Sequence, residues 1–203
     1  MNKTIITLLA ICLWLIGCKK EEPLIPLCNP GNYFPLETGN YWVFRNFRIN
    51  DSGIVEEREN DSMYISSDTL MLGFRYYHLQ GSFSDHPINS FLTRDNNQIR
   101  SSKGYVFYEC PRIFDSKKLY PLIDFDYPGT ISTRRIDSLL TVPAGDFDPV
   151  MLFEAHSMFQ DTVWIVTYKC YYAKNVGMVK FIARCVGCEF ENNSELIRYH
   201  VNK

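Results

Sequence analysis

Short runs of β-branched and aromatic residues recur along most of this chain, and clusters of turn-forming residues separate them. Such runs favour β-strands, while Gly, Asn, Asp, Ser and Pro between them favour turns. Outside the N-terminal segment, no window of helix length carries an apolar stripe at helical spacing. The chain is therefore predicted to be all-β, a single antiparallel domain built as a half-barrel, barrel or sandwich. The strand-like runs are residues 41–49, 54–58, 63–66, 74–79, 91–94, 98–100, 105–110, 130–134, 138–142, 150–155, 163–172, 179–183 and 196–201.

The stretch from Pro111 to Gly129 interrupts this pattern. It contains three prolines and the acidic residues Asp124 and Asp126, and its apolar residues do not alternate regularly with polar ones. We predict a long loop here with at most one turn of helix, because proline removes a backbone donor that a strand needs.

The N-terminal segment has the parts of a secretory signal. A short cationic start is followed by an apolar run from Ile5 to Ile16 and by Gly17-Cys18. The run is too short to cross a bilayer comfortably, since a spanning helix needs about twenty apolar residues. Leu15-Ile16-Gly17-Cys18 resembles the lipobox of bacterial lipoproteins, which implies removal of residues 1–17 and a diacylglyceryl group on Cys18. The alternative is an ordinary secretory signal with a cysteine at this position by chance.

Residues 18–31 are predicted to be the lipidated cysteine and a flexible tether, with the β domain following at 32–203. Lys19-Lys20-Glu21-Glu22 after the cysteine resembles the signals that send Bacteroidota lipoproteins to the outer membrane and the cell surface. The alternative is a solvated linker without an address. Two or three acyl chains anchor a protein stably where one is marginal, so the membrane is the expected partner through lipid alone.

The charge balance excludes one class of partner. Removing residues 1–17 from the 203 leaves 186 residues, with 20 Lys and Arg against 23 Asp and Glu because Lys3 is the only charged residue lost. Nucleic acid binding needs a clustered basic surface, which this composition does not favour.

Five cysteines remain after Cys12 is removed and Cys18 is lipidated: Cys28, Cys110, Cys170, Cys185 and Cys188. Export permits disulfides, and an odd number leaves one thiol free or paired between chains. Cys185-Val-Gly-Cys188 follows a strand-like run at the place where a hairpin turns, which favours a local disulfide or two free thiols. Redox chemistry would place the pair at a helix start, and zinc would need a second pair of ligands.

No residue pattern indicates catalysis or a cofactor. The four histidines are isolated, and the chain has neither a nucleophile elbow nor a phosphate-binding glycine loop. Asp124 and Asp126 together with Asp146 and Asp148 could supply oxygen ligands to calcium, but they lack the spacing of a known calcium loop. We therefore expect no metal, no cofactor and no enzyme activity.

Four Asp-Ser/Thr-apolar tripeptides match the pattern at which Bacteroidota attach O-linked glycans to exported proteins. The expected acceptors are Ser62, Thr69, Ser138 and Thr162. The pattern is short and also arises by chance in β proteins with Asp-Ser turns.

Three further stretches carry a family resemblance. They are residues 34–42 (FPLETGNYW), residues 142–147 (VPAGDF) and residues 172–180 (YAKNVGMVK), with residues 195–199 (ELIRY) closing the chain. Their order resembles lipoproteins of Bacteroidota, and the two later stretches also look like envelope proteins with a curved sheet, such as the lipoprotein carriers LolA and LolB. The resemblance rests on structural residues: Pro143 and Gly145 permit a bend, Gly177 permits a positive φ or a bulge, and Trp42 is expected in the core.

Three functions follow as hypotheses. The first is a non-enzymatic envelope lipoprotein that binds a protein, glycan or lipid or has a structural role. The second is a carrier that encloses a hydrophobic ligand, such as a lipid, in the cavity of a curved sheet. The third and weakest is a hydrolase whose site has no recognised motif.

Overall fold

The computed structural model describes residues 29–96, 98–104, 106–110, 113–114, 129–136, 138–158 and 165–202. These residues form fifteen β-strands and one 3₁₀ turn at Pro30–Asn32, which confirms the all-β prediction. The strands are β1 (Tyr41–Asn50), β2 (Val55–Glu57), β3 (Asp61–Met71), β4 (Phe74–Phe83), β5 (His86–Asp95), β6 (Gln98–Ser101), β7 (Val106–Glu109), β8 (Ile113–Phe114), β9 (Gly129–Ile136), β10 (Leu140–Val142), β11 (Gly145–Phe147), β12 (Val150–Met158), β13 (Ile165–Ala173), β14 (Gly177–Cys185) and β15 (Phe190–His200).

Thirteen of these strands form one antiparallel sheet that closes almost completely into a barrel. The strand order is β7-β6-β5-β4-β3-β1-β15-β14-β13-β12-β9-β8, β2 pairs with β1 beside this path, and β10 and β11 form a separate hairpin. The first long strand, β1, lies between β3 and β15, so the two ends of the domain meet in the middle of the sheet. A nearly closed sheet leaves few backbone donors and acceptors unpaired.

Aromatic side chains fill the inside of the barrel. Along β1, Trp42 and Phe44 alternate with partly exposed neighbours, as a strand with one buried face requires. Phe83 contacts Phe44 and Phe181 edge to face, each at 5.1 Å between ring centroids. Burying such rings removes large apolar areas from water at roughly 25 cal/mol per Å², so these contacts supply much of the stability.

Trp42 lies in the core as predicted, with 2% of its surface exposed. Its indole N–H donates to the carbonyl of Val176 at 2.5 Å. Gly177, the next residue, has a φ of +106°, and a Cβ there would approach Trp42 Nε1 to 3.0 Å. The predicted positive φ at Gly177 is confirmed, and the close approach of Trp42 is a second reason for glycine.

The segment before β1 packs onto the barrel. Pro30, Phe34 and Leu36 are buried, and the Asn29 side chain accepts from the Gly31 backbone N–H at 2.9 Å. Residues 29–31, assigned to the tether on the basis of sequence, therefore lie on the domain. Proline indicates a linker as readily as it indicates the first residue of a helical turn, which is the position that Pro30 occupies.

The buried side chain of Asn40 joins this segment to the end of the chain. Its amide N–H donates to the carbonyl of Pro35 at 3.0 Å, and its amide oxygen accepts from the backbone N–H of Asn202 at 2.8 Å. The Asn202 side chain donates in turn to the carbonyl of Thr38 at 2.8 Å. These bonds satisfy groups that burial would otherwise leave unpaired.

The barrel has two rims, which are named here by what lies at each. The entry rim carries Asn29 and the first residues of β1 and β14, Tyr41 and Gly177. The disulfide rim carries the last residues of the same strands, Asn50 and Cys185. The register of β1 against β15 pairs Tyr41 with His200 at the entry rim and Asn50 with Phe190 at the disulfide rim.

Candidate functional site

The predicted sites are spread over the molecule rather than gathered in one place. The described part of the chain does not include Cys18, Cys28, Asp124, Asp126 or Thr162, so the lipidation site, one glycan acceptor and half of the calcium hypothesis fall outside it. The remaining predicted site residues lie on β3, in the turn of Cys185 and Cys188, and in or beside the separate β10–β11 hairpin.

Cys185 and Cys188 are joined by a disulfide in the turn between β14 and β15. Cys110 is also disulfide-bonded. Cys170 is a free thiol in the core, and burial raises its pKa to about 12. A thiol of this kind is almost wholly protonated at neutral pH and reacts slowly, so Cys170 is not a candidate nucleophile.

Three of the four glycan acceptors are described, and all three are exposed: Ser62 and Thr69 on β3, and Ser138 before β10. The aspartates that precede the first two differ. Asp61 is buried and accepts from the side-chain amide of Asn46 at 2.6 Å, whereas Asp68 is exposed. An enzyme that recognises the whole tripeptide could therefore reach Asp68-Thr69-Leu70 on the folded domain, but could reach Asp61 only before folding.

Three of the four histidines contact side chains of other residue types. His78 stacks on Phe91 at 4.3 Å between centroids, His156 contacts Thr167 at 3.1 Å, and His200 stacks on Tyr41. Among the described residues, no three His, Cys, Asp or Glu side chains lie close enough together to hold a metal ion.

An open cleft at the entry rim has a volume of about 840 Å³ and is a candidate binding site. Polar residues from six separate stretches of the chain line it. They are Asn29, Asn32, Glu37, Thr38, Asp68, Arg75, Arg94, Asn175 and Asn202, accompanied by Gly31, Pro35, Tyr77 and Val201. The sequence did not predict this cleft, because its lining residues form no recognisable motif and come together only in the folded structure.

Four charged side chains that line the cleft form two ion pairs. Arg75 lies 3.5 Å from Asp68, and Arg94 lies 3.5 Å from Glu37. Thr38 donates to Asp68 through its hydroxyl at 3.4 Å. All four charged side chains are between 41% and 61% exposed, so each ion pair contributes little to stability. Each side chain can therefore give up its ion-pair partner and bind a ligand instead.

The asparagine amides and the two arginines give the cleft many donors, and the two carboxylates give it acceptors. This mixture suits a ligand rich in hydroxyl groups or a peptide backbone. It does not suit an apolar chain, because desolvating these groups without hydrogen-bond partners costs free energy.

Within the described ranges, no helix is long and apolar enough to cross a membrane.

Comparison with solved structures identifies the fold. The crystal structure of a "putative exported protein with YmcC-like fold" from Bacteroides fragilis aligns with a TM-score of 0.50 and 12% identity, covering 83% of this chain and 98% of that one. A "putative lipoprotein" from Parabacteroides distasonis aligns with a TM-score of 0.47 and 12% identity over the same shares. No family model and no curated protein matches the chain. At this identity the first alignment shows a shared fold, and a link to LolA and LolB remains an expectation from sequence.

Proposed function

We propose that this chain is a non-enzymatic lipoprotein of the bacterial outer membrane, anchored through Cys18 and exposed at the cell surface, whose entry-rim cleft binds an oligosaccharide. The observation that carries the anchor is the lipobox, Leu15 to Cys18, at the end of the signal core. The observation that carries the ligand class is the polar lining of the cleft. A glycan presents hydroxyl groups that can both donate and accept, which matches the mixed amide, arginine and carboxylate lining.

The packing of the core argues against the carrier hypothesis. A carrier needs an apolar cavity inside the sheet, yet the described inward-facing positions hold large side chains in mutual contact. Phe44, Phe83 and Phe181 form one such chain of rings, and Tyr108 meets Tyr172 at 5.0 Å in another. The open cleft at the rim is lined by charged and amide side chains as well as by Pro35, Tyr77 and Val201, so it is not an apolar cavity.

Fractionation of whole cells tests the location. The wild-type protein is expected in the outer membrane, and protease added to intact cells is expected to remove it. Cys18→Ala is expected to leave that fraction, because the thiol that accepts the lipid is gone. Survival of the wild-type protein until the outer membrane is breached would contradict surface exposure.

Binding to the cleft is tested by thermal shift against a panel of bacterial and host oligosaccharides. At least one is expected to raise the melting temperature, since a ligand that binds only the folded state stabilises it. Arg75→Gln is expected to remove the shift, whereas Arg184→Gln at the disulfide rim is the matched control and should retain it. A panel without any shift, or equal shifts in both variants, would contradict the oligosaccharide assignment.

A further inference from the structure

At the entry rim, the hairpin of β3 and β4 runs past the end of its backbone pairing with both neighbours. On one side, β1 pairs with β3 only as far as Tyr41 opposite Tyr64. On the other side, the pairing of β5 with β4 ends at Leu92 opposite Tyr77, although β5 continues to Asp95 and the Thr93 hydroxyl donates to the carbonyl of Arg75 at 2.8 Å. Residues 68–76, called the arm here, therefore lie beyond the paired part of both neighbouring strands. The turn at its tip lies four residues from Asp68, about 13 Å at the rise of a strand.

The tip of the arm is apolar and stands in solvent. Leu70 is 71% exposed, Leu72 98% and Phe74 58%. Three large apolar side chains on one projecting turn are unlike the single exposed residues that ordinary surfaces carry, and such clusters mark contact sites.

The turn itself does not account for Leu72. Leu72 and Gly73 have φ values of +52° and +82°, the signs of a two-residue hairpin turn in which Asn-Gly is favoured. Leucine in the left-handed region is strained by its Cβ, and its near-complete exposure means that no packing compensates. Leu72 is thus unfavourable both in its backbone conformation and in its exposure to water. This combination points to a contact made outside the domain.

The position of the arm indicates what that contact is. Asn29, the first described residue, lines the same cleft as Asp68 and Arg75 at the base of the arm. Cys18 lies eleven residues before Asn29, so the chain between them reaches about 40 Å at most. The arm therefore extends from the rim where the segment that follows Cys18 joins the domain. Its length of about 13 Å is shorter than the maximum span of that segment, about 40 Å.

We propose that the arm tip inserts into the lipid surface to which Cys18 is attached, so that the domain stands with its entry rim toward the membrane. This inference rests on the proposed lipidation of Cys18. The acyl chains hold the domain near the bilayer at high effective concentration, so a tip of three apolar side chains can bind although it would be too weak alone. Two points of attachment then fix an orientation that a tether alone leaves free.

Tryptophan quenching by brominated lipid tests the proposal on the full lipidated protein. Leu72→Trp places a reporter at the tip, and Val186→Trp is the matched control, a 56% exposed apolar residue in a turn at the opposite rim. Each variant is reconstituted into phosphatidylcholine vesicles with and without bromine on the acyl chains. The signal of the parent protein, which contains Trp42 and Trp164 after signal removal, is subtracted. Leu70→Trp serves as a second tip reporter if Leu72→Trp does not fold.

The tip reporter is expected to lose at least half of its emission in brominated vesicles, and the control reporter none. Equal quenching at both rims overturns the proposal, and so does the absence of quenching at the tip. If the tip binds a protein and is not quenched by lipid, the proposal is likewise overturned. Flotation of the vesicles separates this result from the anchor. Protein that floats without tip quenching overturns only the arm contact, whereas protein that does not float overturns the lipid anchor and the arm contact with it.

Discussion

The two rims of the barrel both expose apolar residues, but they do so on different supports. At the disulfide rim, Ile54, Val55 and Val186 are half or more exposed and lie in short segments. The Asp51 backbone N–H reaches the Glu189 carbonyl at 3.3 Å, which joins the turn after β1 to the turn before β15. The disulfide between Cys185 and Cys188 closes one of these turns.

The entry rim is built from distant parts of the chain and carries a projecting arm. The Asn40 side chain accepts a hydrogen bond from Asn202, near the end of the chain. The Trp42 side chain donates to the carbonyl of Val176, which lies in the turn between β13 and β14. Both rims thus contain contacts between distant parts of the chain, but the disulfide rim consists of short turns, one closed by a disulfide, whereas the entry rim extends an apolar hairpin outward. We attribute membrane contact to the second rim for that reason.

Alkaline pH is expected to have the largest effect because it acts on the core that supports both rims. Burial raises the pKa values of Tyr108, Tyr168 and Tyr172 above the ordinary value of 10, and that of Cys170 from 9 to about 12. From about pH 9 upward, the unfolded chain therefore releases these protons before the folded protein does. These groups contribute no pH dependence at neutral pH, and stability is expected to fall steadily above about pH 10. Urea denaturation across this range checks the sign; an unfolding free energy that does not fall would contradict it.

Trp42→Ala is expected to cost about 3–5 kcal/mol of unfolding free energy, since it removes a buried indole and leaves a cavity. Phe190→Ala at the disulfide rim is the matched aromatic substitution, and it should cost less than about 1 kcal/mol because Phe190 is 37% exposed. Chemical denaturation of both variants measures the difference. A loss below about 1 kcal/mol in Trp42→Ala would contradict the dependence of the entry rim on its buried contacts, and an equally large loss in Phe190→Ala would remove the difference between the rims.

Asn40→Ala is expected to cost about 2–3 kcal/mol, because it leaves the carbonyl of Pro35 and the N–H of Asn202 without their partners. Asn50 offers a matched control at the disulfide rim, where its side-chain oxygen accepts from the backbone of Ser52 and Ile54 in an exposed turn. Asn50→Ala should cost about 0.5–1 kcal/mol. A thermal melt ranks the two, and the reverse order would contradict the account.

Leu72→Asn is expected to have the smallest effect and the opposite sign. Asparagine tolerates the left-handed conformation at the first position of this turn, so the variant should gain about 0.5–1 kcal/mol. Val186→Asn, in a turn without positive φ at that residue, should leave stability unchanged. A loss of stability in Leu72→Asn would show that Leu72 packs within the domain, and would remove the argument that it serves an external contact.

Much of the barrel could be predicted from local pattern. Alternation around Trp42 and Phe44 predicted β1 to within one residue, and the run that ends at Tyr172 predicted most of β13. Strands with polar stretches were predicted too short: β3 continues through Ser66 to Met71. Those residues form a strand because β4 supplies their hydrogen bonds, and the pairing is long-range information that a local pattern does not contain.

The cleft and the arm could not be predicted for the same reason. Asn29, Asp68 and Asn202 come together only when β1 is placed between β3 and β15. The base of the arm is set by where the backbone pairing of the hairpin with β1 and with β5 stops, at Tyr64 and at Tyr77. Leu72-Gly73 did carry a signal, because a leucine before a glycine in a tight turn is unfavourable, but its meaning depends on exposure, which the sequence does not show.

The difference in role between the rims depends on attachment at Cys18, and the intact mass of the purified membrane-derived protein tests this most directly. The mature chain is expected to have 186 residues beginning at Cys18, with the added mass of a diacylglyceryl group, alone or with an N-linked acyl chain, on its first residue. Fragmentation should place that mass on Cys18. A chain that begins at another residue, or a Cys18 without lipid, would contradict the account.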